Sequence, residues 1–187
     1  MLLESDMELA NRSGKWPGWM WMGVVLIGTM ARLIPHPWNF TPLVATGLFA
    51  GVYARKTISA AAVTLLSLAL SDIVLDILVY RRFDKGFLWI YGAALVPVLA
   101  GRWVRGKGVL GLAAAMLASS LSFFAITNFA VWMGGLYTYT LAGLAACYAA
   151  GIPFYRNQIL GDVLYTLVMF SAYEALAKRW RLARVAA

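Results

Sequence analysis

The chain has 187 residues, of which 62% are hydrophobic and only 13% are charged. Soluble domains are typically about half apolar and about a quarter charged, so this composition excludes an ordinary soluble protein and indicates a single integral membrane domain. The net charge of +8 does not indicate nucleic-acid binding, because the basic residues lie between apolar runs, as topogenic charges do. The single cysteine, Cys147, excludes an intramolecular disulfide and a cysteine-rich metal site.

Six apolar segments have the length, or nearly the length, needed to cross a bilayer core of about 30 Å as helices. They cover residues 16–33, 40–54, 57–80, 86–101, 108–127 and 158–177. The predicted fold class is therefore all-α, a six-helix transmembrane bundle. The Ala-rich run 142–151 is too short to cross and is followed by Pro153, which predicts an extra short re-entrant or interfacial helix in the last connection.

Lys and Arg residues predict the orientation of this bundle. Eleven of the 16 lie in segments on the side of the two termini, so the positive-inside rule places both termini in the cytoplasm. The outer connections are then 32–40, 80–87 and 128–157. They are rich in aromatic and hydrogen-bonding side chains, which favours a binding function on that side.

Four ionisable residues, Arg32, Asp72, Asp76 and Asp162, fall in the outer half of the predicted bundle. Charge inside a membrane is costly and therefore indicates a functional site by default. Asp72 and Asp76 are four residues apart and share one helix face. Two roles are open for this set: a polar floor beneath a ligand, or a lock between helices formed by Arg32 and an aspartate.

Two outer connections carry the side chains predicted to contact a ligand. RLIPHPWNFTP is stiffened by three prolines, and TNFAVWMGGLYTYT combines aromatic rings with an amide around two glycines. Aromatic side chains with polar tips suit a bulky, partly polar organic ligand, and they equally suit the aromatic belt of a membrane protein. The predicted ligand contacts are His36, Trp38, Asn39, Asn128, Trp132, Tyr137 and Tyr139.

No motif for proteolysis, nucleotide binding, redox chemistry or metal binding is present, so no catalytic residue is predicted. A metal contact would fall to His36 or Cys147 alone. Small residues four apart, such as Gly47 and Gly51, permit close helix approach, either inside the bundle or against a partner protein.

The stretches RLIPHPWNFTPLVATGLFAG and ITNFAVW…YRNQILGD resemble a group of small six-span bacterial membrane proteins related to the S-components of energy-coupling-factor (ECF) vitamin transporters. The resemblance extends over most of the chain. It implies a six-helix bundle in the bacterial inner membrane that captures a vitamin in an outward pocket. The partners it implies are the lipid bilayer and an ECF-type transmembrane and ATPase module. No cofactor is expected, and a corrinoid would be a substrate.

The BtuM-type cobalamin transporters are similar within this group. Their resemblance implies a corrinoid as substrate and a cobalt-binding cysteine in the second outer connection. The corresponding segment here, VYRRFDKG, has no cysteine. Cobalamin or another corrinoid is therefore an expected substrate, but no cysteine of the second outer connection is available to bind its cobalt.

Two other function classes remain open at the level of sequence. One is an intramembrane enzyme that uses Asp72 and Asp76, or Cys147 and His36. The other is a scaffold subunit whose small-residue helix faces bind another membrane protein.

Overall fold

The computed structural model of the chain describes residues 18–77 and 87–185. Parts of the predicted spans 16–33, 57–80 and 86–101, and nearly all of the predicted connection 80–87, lie outside the described residues. The same holds for the residues before 18, which include the predicted cytoplasmic N-terminal segment.

The described residues form helices and no strand. In chain order these are α1 (Gly18–Leu33), α2 (Leu43–Tyr53), α3 (Thr57–Leu75), α4 (Phe87–Ala93), α5 (Leu95–Trp103), α6 (Gly108–Met133) and α7 (Leu141–Val185). Three stretches are long and apolar enough to cross a membrane, namely Thr57–Leu75, Gly108–Met133 and Leu141–Arg179. The all-α prediction is confirmed, and the long apolar helices are those of a membrane protein. The six-span count and the orientation stay predictions.

Pro97 explains why the predicted fourth span is divided into α4 and α5. Proline has no N–H, so the carbonyl of Ala93, four residues earlier, loses its usual helical partner. Ala94 keeps a right-handed helical backbone, with φ −65° and ψ −16°. The two helices therefore continue one another, and Leu88–Trp103 forms one apolar helix.

The prediction of a separate short helix in the last connection is wrong. The Ala-rich run and the predicted sixth span belong to one helix, α7, which has 45 residues and contains Pro153. A proline removes one hydrogen bond, but it does not end a helix whose neighbouring turns are held by packing. Here α7 packs along α6 on both sides of Pro153: Tyr148 donates to the Ala125 carbonyl at 2.7 Å, and Gln158 donates to the Ser120 carbonyl at 2.8 Å.

The span predicted at 108–127 also continues further, to Met133. α6 and α7 thus form a long antiparallel hairpin joined by residues 134–140.

α2 lies at the centre of the bundle, where ten consecutive residues, from Leu43 to Val52, are buried. It packs against α3, α5, α6 and α7. A helix buried on every face must be apolar all round rather than amphipathic, which is what the sequence LVATGLFAGVY shows.

Glycines allow α2 and α5 to approach closely. A Cβ added at Gly47 would lie 2.8 Å from Pro97 Cγ, and one added at Gly51 would lie 3.0 Å from the Cα of Gly101 and collide with the Val98 carbonyl oxygen. The four-residue spacing of Gly47 and Gly51 is therefore used inside the bundle.

Two arginines cap the C-terminal end of α2. Arg105 donates to the Gly51 carbonyl from Nε at 3.1 Å and from Nη2 at 2.8 Å, and it also bonds the Ala54 carbonyl. Arg102 donates to the Ala54 carbonyl at 3.2 Å. The last carbonyls of a helix lack intrahelical partners and carry partial negative charge, so a guanidinium stabilises them. We call this end of the molecule the basic end; its charged residues are Arg55, Lys56, Arg102, Arg105 and Lys107.

Gly51→Ala is expected to lower the free energy of unfolding by about 1–3 kcal/mol, because the new Cβ meets backbone atoms of α5 that cannot rotate away. Thermal unfolding of the protein in mild detergent measures this loss. Gly92→Ala is the matched control, since nothing lies within 4 Å of a Cβ at that helical position. Equal melting temperatures for the two variants would contradict the close approach of α2 to α5.

Candidate functional site

A cavity of about 1080 Å³ lies at the end of the bundle opposite the basic end. It exists because α2 is short and its neighbours are long. At ~1.5 Å per residue, the 11 residues of α2 measure about 16 Å, whereas the 26 residues of α6 measure about 39 Å. The start of α2 therefore forms the bottom of the cavity, and α4, α6 and α7 form its walls.

The lining of the cavity combines apolar surface with a small number of polar groups. Organic ligands are typically bound in cavities of about 300–1,000 Å³ with this kind of lining, so the volume suits a large organic molecule. The aromatic lining residues are Trp89, Phe123, Tyr137 and Phe154, and the polar ones are Arg32, Asn39, Thr41, Thr127, Asn128, Gln158 and Asp162.

The structure brings together about half of the residues singled out from the sequence. Those that line the cavity are Arg32, Asn39, Asn128, Tyr137, Cys147 and Asp162. Those that do not line it are His36, Trp38, Asp72, Asp76, Trp132 and Tyr139.

Arg32 joins α1 to α3 as well as lining the cavity. Its Nη1 donates to Asp72 Oδ1 at 2.8 Å and to the Leu68 carbonyl at 3.2 Å, and it contacts the Ser71 hydroxyl. The Arg32 and Asp72 side chains are 17% and 28% exposed. Of the two roles left open by the sequence, this pair therefore has the geometry of an ion pair that holds α1 to α3. Asp76 lies one turn further along α3 and makes no salt bridge within the described part of the chain.

Asp162 lies in a different polar layer, between α6 and α7. It is 1% exposed and lines the cavity. Side-chain hydrogen bonds link its carboxyl to Ser120 and Gln158. Gln158 in turn donates Nε2 to the Ser120 carbonyl at 2.8 Å and to the Ser120 hydroxyl at 3.1 Å. The second carboxyl oxygen, Oδ2, has no hydrogen-bond partner among the described residues.

Asn128 and Cys147 lie where α6 and α7 face each other at the cavity wall. Asn128 donates Nδ2 to the Phe124 carbonyl at 2.9 Å, and the thiol of Cys147 donates to the Asn128 carbonyl at 3.3 Å. A Cβ at Gly151 would collide with Oδ1 of Asn128, so the absence of a side chain at position 151 makes room for this amide.

Trp132 and Tyr139 stabilise the turn between α6 and α7 instead of contacting the cavity. Trp132 donates Nε1 to the Thr138 carbonyl at 2.9 Å, and the Tyr139 hydroxyl donates to the Met133 carbonyl at 3.0 Å. Their rings meet edge to face, with centroids 5.6 Å apart. Gly135 supplies the left-handed backbone that the turn needs, with φ +81°.

His36 and Trp38 lie in the turn after α1. The two ring nitrogens of His36 contact backbone oxygens, Nε2 with Arg32 at 3.3 Å and Nδ1 with Pro37 at 2.8 Å. Trp38 is 67% exposed. In the ranges 18–77 and 87–185, no three His, Cys, Asp or Glu side chains are grouped so as to hold a metal ion. Of the two residues predicted for a metal contact, such as with the cobalt of a corrinoid, Cys147 lines the cavity and His36 does not.

Sequence reasoning missed several lining residues, of which Gln158 and Trp89 are the most informative. Gln158 is four residues before Asp162, a spacing that places the amide and the carboxyl on one helix face and was available from the sequence. Trp89 packs edge to face on Phe129, with ring centroids 5.9 Å apart. Nothing local distinguishes Trp89 from the other tryptophans, because its position depends on how α4 packs against α6.

The model of the family of unknown function DUF6580 matches residues 14–184. The chain belongs to this family. The DUF6580 match spans α1 to α6 completely and nearly all of α7, so the family corresponds to the whole bundle, including the cavity. No curated protein and no solved structure matches the chain.

In this DUF6580 protein, Asp72→Asn is expected to lower the free energy of unfolding by about 1–3 kcal/mol. Removing one partner of a fully buried ion pair costs about 3–5 kcal/mol, and the partial exposure of Arg32 and Asp72 reduces that cost. Thermal unfolding in detergent provides the measurement, with Asp76→Asn on the same face of α3 as the control.

A double-mutant cycle separates the ion pair from other effects of the substitution. Arg32→Met and Asp72→Leu are combined, and a clear favourable coupling energy is expected. A coupling energy indistinguishable from zero would show that the pair does not hold α1 to α3.

Proposed function

We propose that the protein is a substrate-capture protein of the bacterial inner membrane, similar to an S-component, which takes up a vitamin-type organic molecule from the outer side. It crosses the membrane with six spans and has both termini in the cytoplasm. The observation that carries the proposal is the cavity of about 1080 Å³ with its mixed aromatic and polar lining.

The distribution of charge supports this orientation. The basic end and the cavity are at opposite ends of the bundle, so a cytoplasmic basic end leaves the cavity open to the outside. Large apolar side chains on the helix surfaces, including Leu110 at 86% exposure and Leu167 at 61%, suit contact with lipid.

The resemblance to S-components supports capture of a vitamin, with a corrinoid as the first ligand to test. The cavity volume at the upper end of the usual range is in line with a large ligand. Cys147 is at the cavity wall, where its thiol donates to the Asn128 carbonyl at 3.3 Å. Transport then requires either a partner ATPase module or a reorientation of the bundle alone.

Incubation of the purified protein with a panel of vitamins, including cobalamin and cobinamide, is expected to leave one member bound. Native mass spectrometry and visible absorbance detect it. Asn128→Ala is expected to weaken that binding by about tenfold, or about 1.4 kcal/mol, because Asn128 lines the cavity. Trp38→Ala, a change at an exposed aromatic outside the lining, is the matched control and is expected to bind normally. A protein that retains no member of the panel would contradict vitamin capture.

Single-cysteine labelling tests the orientation. Cys147→Ala removes the only thiol, and Trp38→Cys or Lys56→Cys then places one exposed thiol near the cavity or at the basic end. A membrane-impermeant maleimide applied to intact cells is expected to label Trp38→Cys directly and Lys56→Cys only after permeabilisation. The reverse pattern would show that the cavity faces the cytoplasm.

A further inference from the structure

The carboxyl of Asp162 is the acidic group of the cavity lining that the protein itself leaves incompletely paired. Asp72 forms a salt bridge with Arg32, and Asp72 lies outside the cavity lining. Asp162 has the hydroxyl of Ser120 and the amide of Gln158, and Oδ2 has no donor within the part of the chain that the structure describes. No Lys, Arg or His among those residues forms a salt bridge with it.

Such a group is costly in an apolar surrounding. A buried polar atom without a hydrogen bond costs about 1–3 kcal/mol, and a buried charge without a partner costs more. Native structures contain few of these groups, and each one calls for an explanation. The position of Asp162 in the cavity lining points to one, because a molecule bound in the cavity would lie beside this carboxyl.

The neighbours of Asp162 restrict how the missing partner is supplied. Gln158 uses its donor group on Ser120, at 2.8 and 3.1 Å, as well as on the carboxyl, so rotating it towards Oδ2 would break those bonds. A Cβ added at Gly161 would lie 3.2 Å from the Cα of Phe40 and from the backbone nitrogen of Thr41, so this turn of α7 packs closely against the segment just before α2. The protein thus holds the acceptor in place, and residues 18–77 and 87–185 supply no further donor.

We propose that Asp162 accepts a hydrogen bond from the captured ligand, and that the ligand therefore presents an N–H or O–H donor, such as a primary amide, to the floor of the cavity. This inference rests on the proposed function and adds a specificity-determining residue to it. A ligand that carries a carboxylate or an ester at the same position is disfavoured, because either group places an acceptor oxygen against the Asp162 carboxyl.

A matched pair of corrinoids tests the inference in the full-length protein. Dicyanocobinamide has side chains that end in amides, and dicyanocobyrinic acid heptamethyl ester has the same ring with side chains that end in methyl esters. Both absorb visible light, so binding is followed directly, with empty detergent micelles as the blank. We expect the amide form to bind at least about tenfold more tightly, because a site built for a donor strongly rejects an analogue without it.

Asp162→Ala is expected to reduce the amide-to-ester affinity ratio at least about fivefold, since the acceptor is gone. Thr166→Ala is the matched control. Thr166 is one turn further along α7, is also buried with an unpartnered hydroxyl, and does not line the cavity, so the ratio is expected to stay unchanged. Leucine is close to aspartate in shape, so Asp162→Leu repeats the comparison if the alanine variant does not fold.

The outcomes separate the inference from the proposed function. Equal binding of the two corrinoids by the unmodified protein, or an unchanged ratio after loss of Asp162, overturns the role of Asp162 and leaves capture standing. No binding of either corrinoid overturns the inference together with corrinoid capture, whereas capture of another vitamin is decided by the panel experiment. A preference for the amide form that disappears with Asp162 and survives loss of Thr166 establishes the donor requirement.

Discussion

The structure depends on burying α2 on every side. A helix of 11 residues measures about 16 Å, roughly half of a bilayer core of about 30 Å. Its backbone ends therefore lie within the bundle and need partners from the protein. Arg102 and Arg105 satisfy the carbonyls at one end, and glycines in α2 and α5 bring the two helices close enough for those contacts. The space beyond the other end of α2 is the cavity.

Two polar layers at the cavity end differ in how completely they are paired. The layer between α1 and α3 is paired within the protein, since Arg32 meets Asp72, Ser71 and the Leu68 carbonyl. The layer between α6 and α7 is paired only in part, since Asp162 keeps an oxygen without a donor in the described structure. The ion pair between Arg32 and Asp72 makes the first layer a structural tie. Incomplete pairing beside a large cavity is the reason that the proposed ligand contact is assigned to the second layer.

Composition and apolar segment lengths were sufficient to predict the helical class and most helix positions, because apolar runs of this kind have few other structures available. They also drew attention to Arg32, Asn128 and Asp162, since polar groups stand out in an apolar chain. The continuity of α7 was not predictable, because the effect of Pro153 depends on packing against α6 rather than on local sequence. Trp132 and Tyr139 show the same limit: the sequence shows aromatic rings with polar tips, but their hydrogen bonds to the turn depend on the folded geometry.

α7 runs without interruption from the cavity wall to the far side of the basic end. Its 45 residues measure about 68 Å at ~1.5 Å per residue. Phe170 and Tyr173 pack against Phe49 and Tyr53 of α2, with ring centroids 4.1–5.9 Å apart, and form a contact part-way along its length. A tilt of about 5° around the midpoint of such a rod displaces each end by about 3 Å. A change at the cavity floor is thereby connected, through one continuous helix, to Lys178 and Arg179 near its other end.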